Sequence, residues 1–308
     1  MSGLFKVLMV AVMVAETLAL GQGSDVARIL SDVRQALGGE ATLASVKTVM
    51  IEGTRTRVMN EQSRSSAFEM AMELPSKFVR KEVAGSFNGI ELTRATGFNG
   101  GELIERADAP LQMGHGVTVM RMGGPAPATP ADAEAQRATQ LAGARKDFAR
   151  FTLGMFATGF EIFPLEFAYA GTAESGDTKA HVLTVTGPDQ FEARLFVDSA
   201  SHLPLMLTWM DREPLTMQAG GGPQVFRGGG SPADIEKMRE QMQQQMREAE
   251  ANRRTVEYRM FYADYKVFNG IKLPTRLQRM IDGNAAEELS FDKVRINGTL
   301  DAKLFNVK

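Results

Sequence analysis

The chain has 308 residues, 44% hydrophobic and 23% charged, with 35 basic side chains against 37 acidic ones. These values lie in the globular range and exclude a disordered tract or a multi-span membrane protein, and the balanced charge offers no footprint for a nucleic-acid backbone. The absence of cysteine removes disulfides, thiol nucleophiles, cysteine-type zinc sites, iron–sulfur ligation and the acylated cysteine of a bacterial lipoprotein.

Residues 1–21 read as a secretory signal: a short start with Lys6, an apolar run from Val7 to Ala15, and the small-x-small pattern Ala19-Leu20-Gly21. The run is too short to cross a bilayer, and Glu16 would be costly there. A retained N-terminal anchor is the alternative. Cleavage before Gln22 would release a soluble periplasmic protein. Ser24 can then cap an amphipathic helix whose Val26, Ile29, Leu30, Val33 and Leu37 recur at three- and four-residue steps until Gly38-Gly39.

From Val46 the period changes to two, and Phe68, Met70, Met72 and Leu74 alternate with Ala67, Glu69, Ala71 and Glu73. Asn88-Gly89, Asn99-Gly100, Asn269-Gly270, Asp282-Gly283 and Asn297-Gly298 accept positive φ and predict five hairpin turns. Ala107 to Pro130 is rich in Gly, Pro and Met and predicts a long loop. Thr129-Pro130 then opens an Ala-rich helix with Leu141, Ala144, Phe148 and Phe151 on one side. Alternation returns in Ala180–Thr186, Phe191–Val197, Leu205–Met210, Thr255–Val267, Ile271–Ile281 and Glu287–Ile296. Between the third and fourth of these, 211–253 carries two glycine triplets and a helix with the apolar stripe Ile235, Met238, Met242 and Met246. The expected fold is α+β: a large curved antiparallel sheet, an incomplete barrel, with helices covering its apolar face. Residues 22–308 are expected to form one domain with 211–253 as an insertion.

The search for catalytic motifs is negative: there is no G-x-S-x-G, phosphate loop, H-E-x-x-H or dinucleotide fingerprint. Asp198-Ser199-Ala200-Ser201-His202 holds the three residue types of a hydrolase triad, but neighbours in sequence do not converge as a triad must, and a hairpin connection is the reading preferred. Met113, His115, Met120 and Met122 raise a copper site; His115, His181 and His202 are too scattered for zinc. Neither metal nor cofactor is expected, nor enzymatic activity. Nineteen Met and 18 Phe against a single Trp suit an adaptable apolar pocket, with an ordinary Met-rich core as the alternative.

Met72-Glu73-Leu74-Pro75-Ser76-Lys77-Phe78-Val79-Arg80, Phe98-Asn99-Gly100-Gly101-Glu102-Leu103 and Leu300-Asp301-Ala302-Lys303-Leu304-Phe305 resemble, in this order, segments of the periplasmic lipoprotein carriers and receptors of the LolA and LolB type. The resemblance implies a half-barrel and a hydrophobic ligand. Carriers of that family place an Arg directly before the proline, where it helps to hold a helical lid closed; here the position is Leu74, and the 211–253 insertion has no counterpart in the smaller carriers. The function expected is that of a soluble periplasmic protein binding a lipid or lipoprotein acyl chains, with envelope membrane proteins as further partners and the oligomeric state open. The expected lining is Phe68, Met70, Met72, Phe98, Phe148, Phe151, Phe196, Leu207 and Trp209, and the Met-stripe helix is expected to act as a lid or docking element. An interaction or sensor module with a filled core is the alternative.

Overall fold

The computed structural model describes residues 22–59, 62–87, 90–108, 129–214, 241, 244–245 and 248–307. The signal segment 1–21, most of the loop before Thr129 and the four residues of the Met stripe lie outside them. Helix α1 (Gln22–Leu37) buries Val26, Ile29, Leu30, Val33 and Leu37, as their spacing predicts, and begins two residues before the expected cap. It ends at Gly38, whose φ of 136° is closed to ordinary residues and whose missing side chain lets the backbone of Gly270 approach. A short helix α2 (Glu40–Ala44) follows.

Five strands then run as a meander: β1 (Thr48–Met59), β2 (Gln62–Glu73), β3 (Lys77–Phe87), β4 (Ile90–Asn99) and β5 (Glu102–Asp108). Helix α3 (Pro130–Phe156) comes next, and seven further strands complete the sheet: β6 (Glu166–Ser175), β7 (Thr178–Gly187), β8 (Phe191–Asp198), β9 (Pro204–Arg212), β10 (Thr255–Phe268), β11 (Ile271–Ile281) and β12 (Asn284–Ile296). The order across the sheet is β5-β4-β3-β2-β1-β12-β11-β10-β9-β8-β7-β6, with every neighbouring pair antiparallel. Two meanders are therefore joined at one seam, β1 against β12, and the sheet is open at β5 and β6.

Three of the five expected turns, Asn99-Gly100, Asn269-Gly270 and Asp282-Gly283, connect adjacent strands, and Asn88-Gly89 lies outside the described residues. Asn269-Gly270 and Asp282-Gly283 have positive φ at both residues, as a two-residue hairpin requires. Asn297-Gly298 is a correction: among the described residues no strand follows it. Asn297, at φ 57°, accepts hydrogen bonds from the Lys47 and Thr48 backbone N–H groups and donates to the Ser45 carbonyl, tying the end of β12 to the start of β1. The chain then forms a 3₁₀ turn, Ala302–Phe305, against the outer sheet face, where Phe305 packs with Met50, Ala71, Val79, Ala95 and Ile104. Arg106 clamps it by donating to the carbonyls of Lys303, Leu304 and Asn306.

The opposite face is curved around α3. Phe151 lies 6.1 Å from Phe78 on β3, between ring centroids, and the guanidinium of its neighbour Arg150 sits 4.3 Å above the Trp209 ring on β9. In a flat sheet, with about 4.8 Å per strand, β3 and β9 would stand about 29 Å apart, more than one helical turn and its side chains can bridge. The sheet must bend for both contacts to form.

Candidate ligand-binding face

The residues pointing to this concave face follow from strand parity. Val49 and Ile51 on β1, Phe68, Met70 and Met72 on β2, Phe78 on β3 and Phe98 on β4 belong to one buried cluster with Leu183, Val185, Leu195, Leu207, Trp209, Met260, Leu277, Leu289 and Phe291 from the other half of the sheet. Buried residues of α1 and α3 belong to the same cluster. Thr129 caps α3 by accepting from the Asp132 N–H while Asp132 accepts from the Thr129 N–H, and Pro130 occupies the first turn. The helix begins exposed, but from Phe148 to Phe156 every residue is buried, so this end has no solvent-facing side.

Phe148 packs against Phe78, Phe98 and Phe160 with ring centroids 5.4–5.7 Å apart. Gly154 permits the closest approach to the sheet: a Cβ there would lie 2.2 Å from the Tyr262 ring. Tyr262 donates its hydroxyl to the Arg150 carbonyl at 2.7 Å, and burial pushes its phenol far above the ordinary range. Tyr265 donates to the Pro204 carbonyl at 2.8 Å and to the Gly154 carbonyl at 3.3 Å. Met70, Met72, Phe98 and Leu207 have no exposed surface, so side chains, with those of α3 among them, fill the space beside these residues.

Towards one rim the same strand positions turn from apolar to charged. Arg55 follows Val49 and Ile51 in parity, Arg80 and Glu82 follow Phe78, Glu287 precedes Leu289, and Arg279 follows Leu277. Glu287 receives Arg55 and Arg80 on one oxygen and Arg279, at 2.7 Å, on the other. Glu82 receives Arg55 and Arg80 at 3.1 and 3.0 Å on one oxygen and Arg57 at 3.6 Å on the other. Burial alone would raise the Glu287 carboxyl, but Arg80, Arg279 and Arg55 outweigh it and hold the group far below the carboxylate range. Burial pulls the Arg55 guanidinium down to about 10, against the opposing pull of Glu287 and Glu82, and leaves it charged at neutral pH. Arg150 pairs with Asp147 at 2.9 Å and Asp211 at 3.3 Å.

Among the described residues several buried donors of this rim have no hydrogen-bond acceptor: Nε of Arg80, Arg150 and Arg279, and Nε1 of Trp209. Leaving a buried donor unpaired costs about 1–3 kcal/mol.

Of the nine lining residues expected from sequence, Phe68, Met70, Met72, Phe98, Phe148, Phe151, Leu207 and Trp209 fall in this cluster. Phe196 does not, which is a correction. It stands opposite Met206 while Leu195 stands opposite Leu207, and it packs on the other face with Ala173, Ala180, Val182 and Met206. Leu195-Phe196-Val197 is apolar at both parities, so size favoured the wrong register. Ile235, Met238, Met242 and Met246 lie outside the described residues, as do Met113, His115, Met120 and Met122. Among the described residues no three His, Cys, Asp or Glu side chains group as a metal site.

The Asp198–His202 segment is the β8–β9 turn. Asp198 Oδ1 accepts from the backbone N–H and the hydroxyl of Ser201 at 2.6 and 2.7 Å, and His202 has a φ of 57°. The Ser201 hydroxyl is spent on the turn. Apolar patterning alone does not reveal the Arg55–Arg80–Arg279–Glu287 network; the signal in the sequence is strand parity with Ile51, Phe78, Leu277 and Leu289, which marks those positions as facing the same side.

No protein-family model matches the chain, and no curated protein does. Among solved structures it is similar in fold to an outer membrane lipoprotein-sorting protein domain from Vibrio parahaemolyticus, with 10% identity over 91% of this chain and 95% of that one and a TM-score of 0.47. It is similar to a LolA superfamily protein from Nitrosomonas europaea, with 11% identity over 91% and 97% of the two chains and a TM-score of 0.46. A DUF1329 family protein from Desulfovibrio piger shows 8% identity over 91% and 97% and a TM-score of 0.41.

Proposed function

We propose that this chain is a binding protein, not an enzyme, and that it takes up acyl chains of a lipid or of a lipid-modified protein along the concave face, beneath the helices that cover it. The observation that carries this reading is the last nine residues of α3, Phe148–Phe156, apolar around nearly the whole circumference and seated among Met and Phe side chains of a sheet that stays open at β5 and β6. Met70, Met72, Met155 and Met260 have unbranched side chains that repack at low cost, so acyl methylenes can replace contacts the helix makes. Each buried methylene contributes about 0.8 kcal/mol, so one long chain supplies enough free energy to compete with part of that contact. With the N-terminal segment read as an export signal, the place of action is the periplasm, and envelope membrane proteins are donors or acceptors.

The second reading, a filled-core interaction or sensor module, draws on the full burial of Met70, Met72, Phe98 and Leu207. Organic extraction of the natively purified chain, with the lipids identified by mass spectrometry, separates the two. We expect about one acyl-bearing molecule per chain; protein free of lipid after isolation from envelope fractions supports the filled core.

A further inference from the structure

The charged rim holds more than a structural ion pair needs. Both oxygens of Glu287 and both of Glu82 are occupied by Arg55, Arg57, Arg80 and Arg279, so four guanidiniums share two carboxylates. The nearby Asp147 and Asp211 are each paired with Arg150. The buried Nε groups of Arg80, Arg150 and Arg279 and the indole N–H of Trp209 lack an acceptor among the described residues. These donors are contiguous. Arg80 lies 5.8 Å from the ring of Phe151, next to Arg150; Arg150 covers Trp209, and Trp209 stacks on Tyr258 at 5.3 Å. They also adjoin the apolar floor, since Phe151 and Trp209 belong to both.

We propose that this cluster seats the oxyanion head of an amphiphile, a phosphate or carboxylate, whose acyl chain lies on the concave face. The inference rests on the acyl-binding reading and narrows it: an acidic lipid fits, whereas a fully acylated lipoprotein cysteine offers these donors only neutral ester and amide carbonyls and no charge to match the guanidiniums. Guanidiniums match phosphate and carboxylate oxygens in geometry as well as charge, and such hydrogen bonds are the stronger kind.

The test is calorimetric titration of the full chain with decyl phosphate, decanol and inorganic phosphate at low salt. We expect decyl phosphate to bind at least about tenfold more tightly than decanol, with inorganic phosphate weaker than decyl phosphate, and Arg279→Gln to abolish most of the preference while decanol binding persists. Equal binding of decyl phosphate and decanol overturns the head-group seat and leaves acyl binding standing. Binding of neither overturns both. Inorganic phosphate binding as tightly as decyl phosphate assigns the cluster to a free anion and overturns the amphiphile. The comparison on the unaltered chain decides the matter even if Arg279→Gln fails to fold, and Arg57→Gln, at a side chain 44% exposed, supplies a second variant expected to weaken the preference in part.

Discussion

Glu287 draws Arg55, Arg80 and Arg279 together, and without it Glu82 alone would face the four guanidiniums of Arg55, Arg57, Arg80 and Arg279. Replacing Glu287 by glutamine leaves Arg55, almost fully buried, with Glu82 alone. We expect Glu287→Gln to lower stability by about 3–5 kcal/mol, read from urea unfolding at pH 7. The pH dependence has a definite sign. The folded-state pKa of Glu287 is depressed below the unfolded value of about 4.3, so its contribution is complete above that pH and declines as pH falls towards the folded value. The stability gap between the unaltered chain and Glu287→Gln should therefore narrow between pH 7 and pH 3; a constant gap contradicts the assignment. In sequence this residue was legible as a strand position but not as a buried one, because Glu-Glu-Leu at 287–289 looks solvent-facing until β1 and β11 bring Arg55 and Arg279 onto it.

Among the elements, α3 contributes buried residues of Phe148–Phe156 to the cluster on the concave face. Its start was readable from Thr129 and Pro130, since a cap and an N-terminal proline are local signals. The burial of Phe148–Phe156 on all sides was not, because a helix drawn from periodicity is given one apolar side, and Arg150 hides how apolar that stretch is. Gly154 is where the helix meets Tyr262, and no Cβ fits between them. We expect Gly154→Ala to lower the thermal midpoint, with a loss of about 1–3 kcal/mol from overpacking, despite the better helix propensity of alanine. An unchanged or raised midpoint would show that α3 does not dock on Tyr262.

On the scale of the whole molecule, the two-meander plan follows from turn chemistry. Asn269-Gly270 and Asp282-Gly283 dictate tight hairpins, and the alternation of β2 dictates which face its Phe and Met residues occupy. What local signals cannot give is the seam between β1 and β12, a pairing of segments more than two hundred residues apart, nor which side of an all-apolar stretch such as Leu195–Val197 faces inward. Strand β6 carries no clear alternation, because Glu166–Ser175 mixes small and polar residues and the register shift between Tyr169 and Gly171 breaks its parity.

The single tryptophan, Trp209, lies on the concave face beside Arg150 and gives an internal reporter for what that face holds. Dibrominated stearate quenches indole emission only at close range. If the concave face takes up acyl chains, adding this fatty acid to the full chain quenches Trp209 saturably at about one equivalent, while undecorated stearate competes the quenching away. Emission that stays unchanged at saturating brominated stearate, with the protein still folded by circular dichroism, contradicts acyl binding on this face.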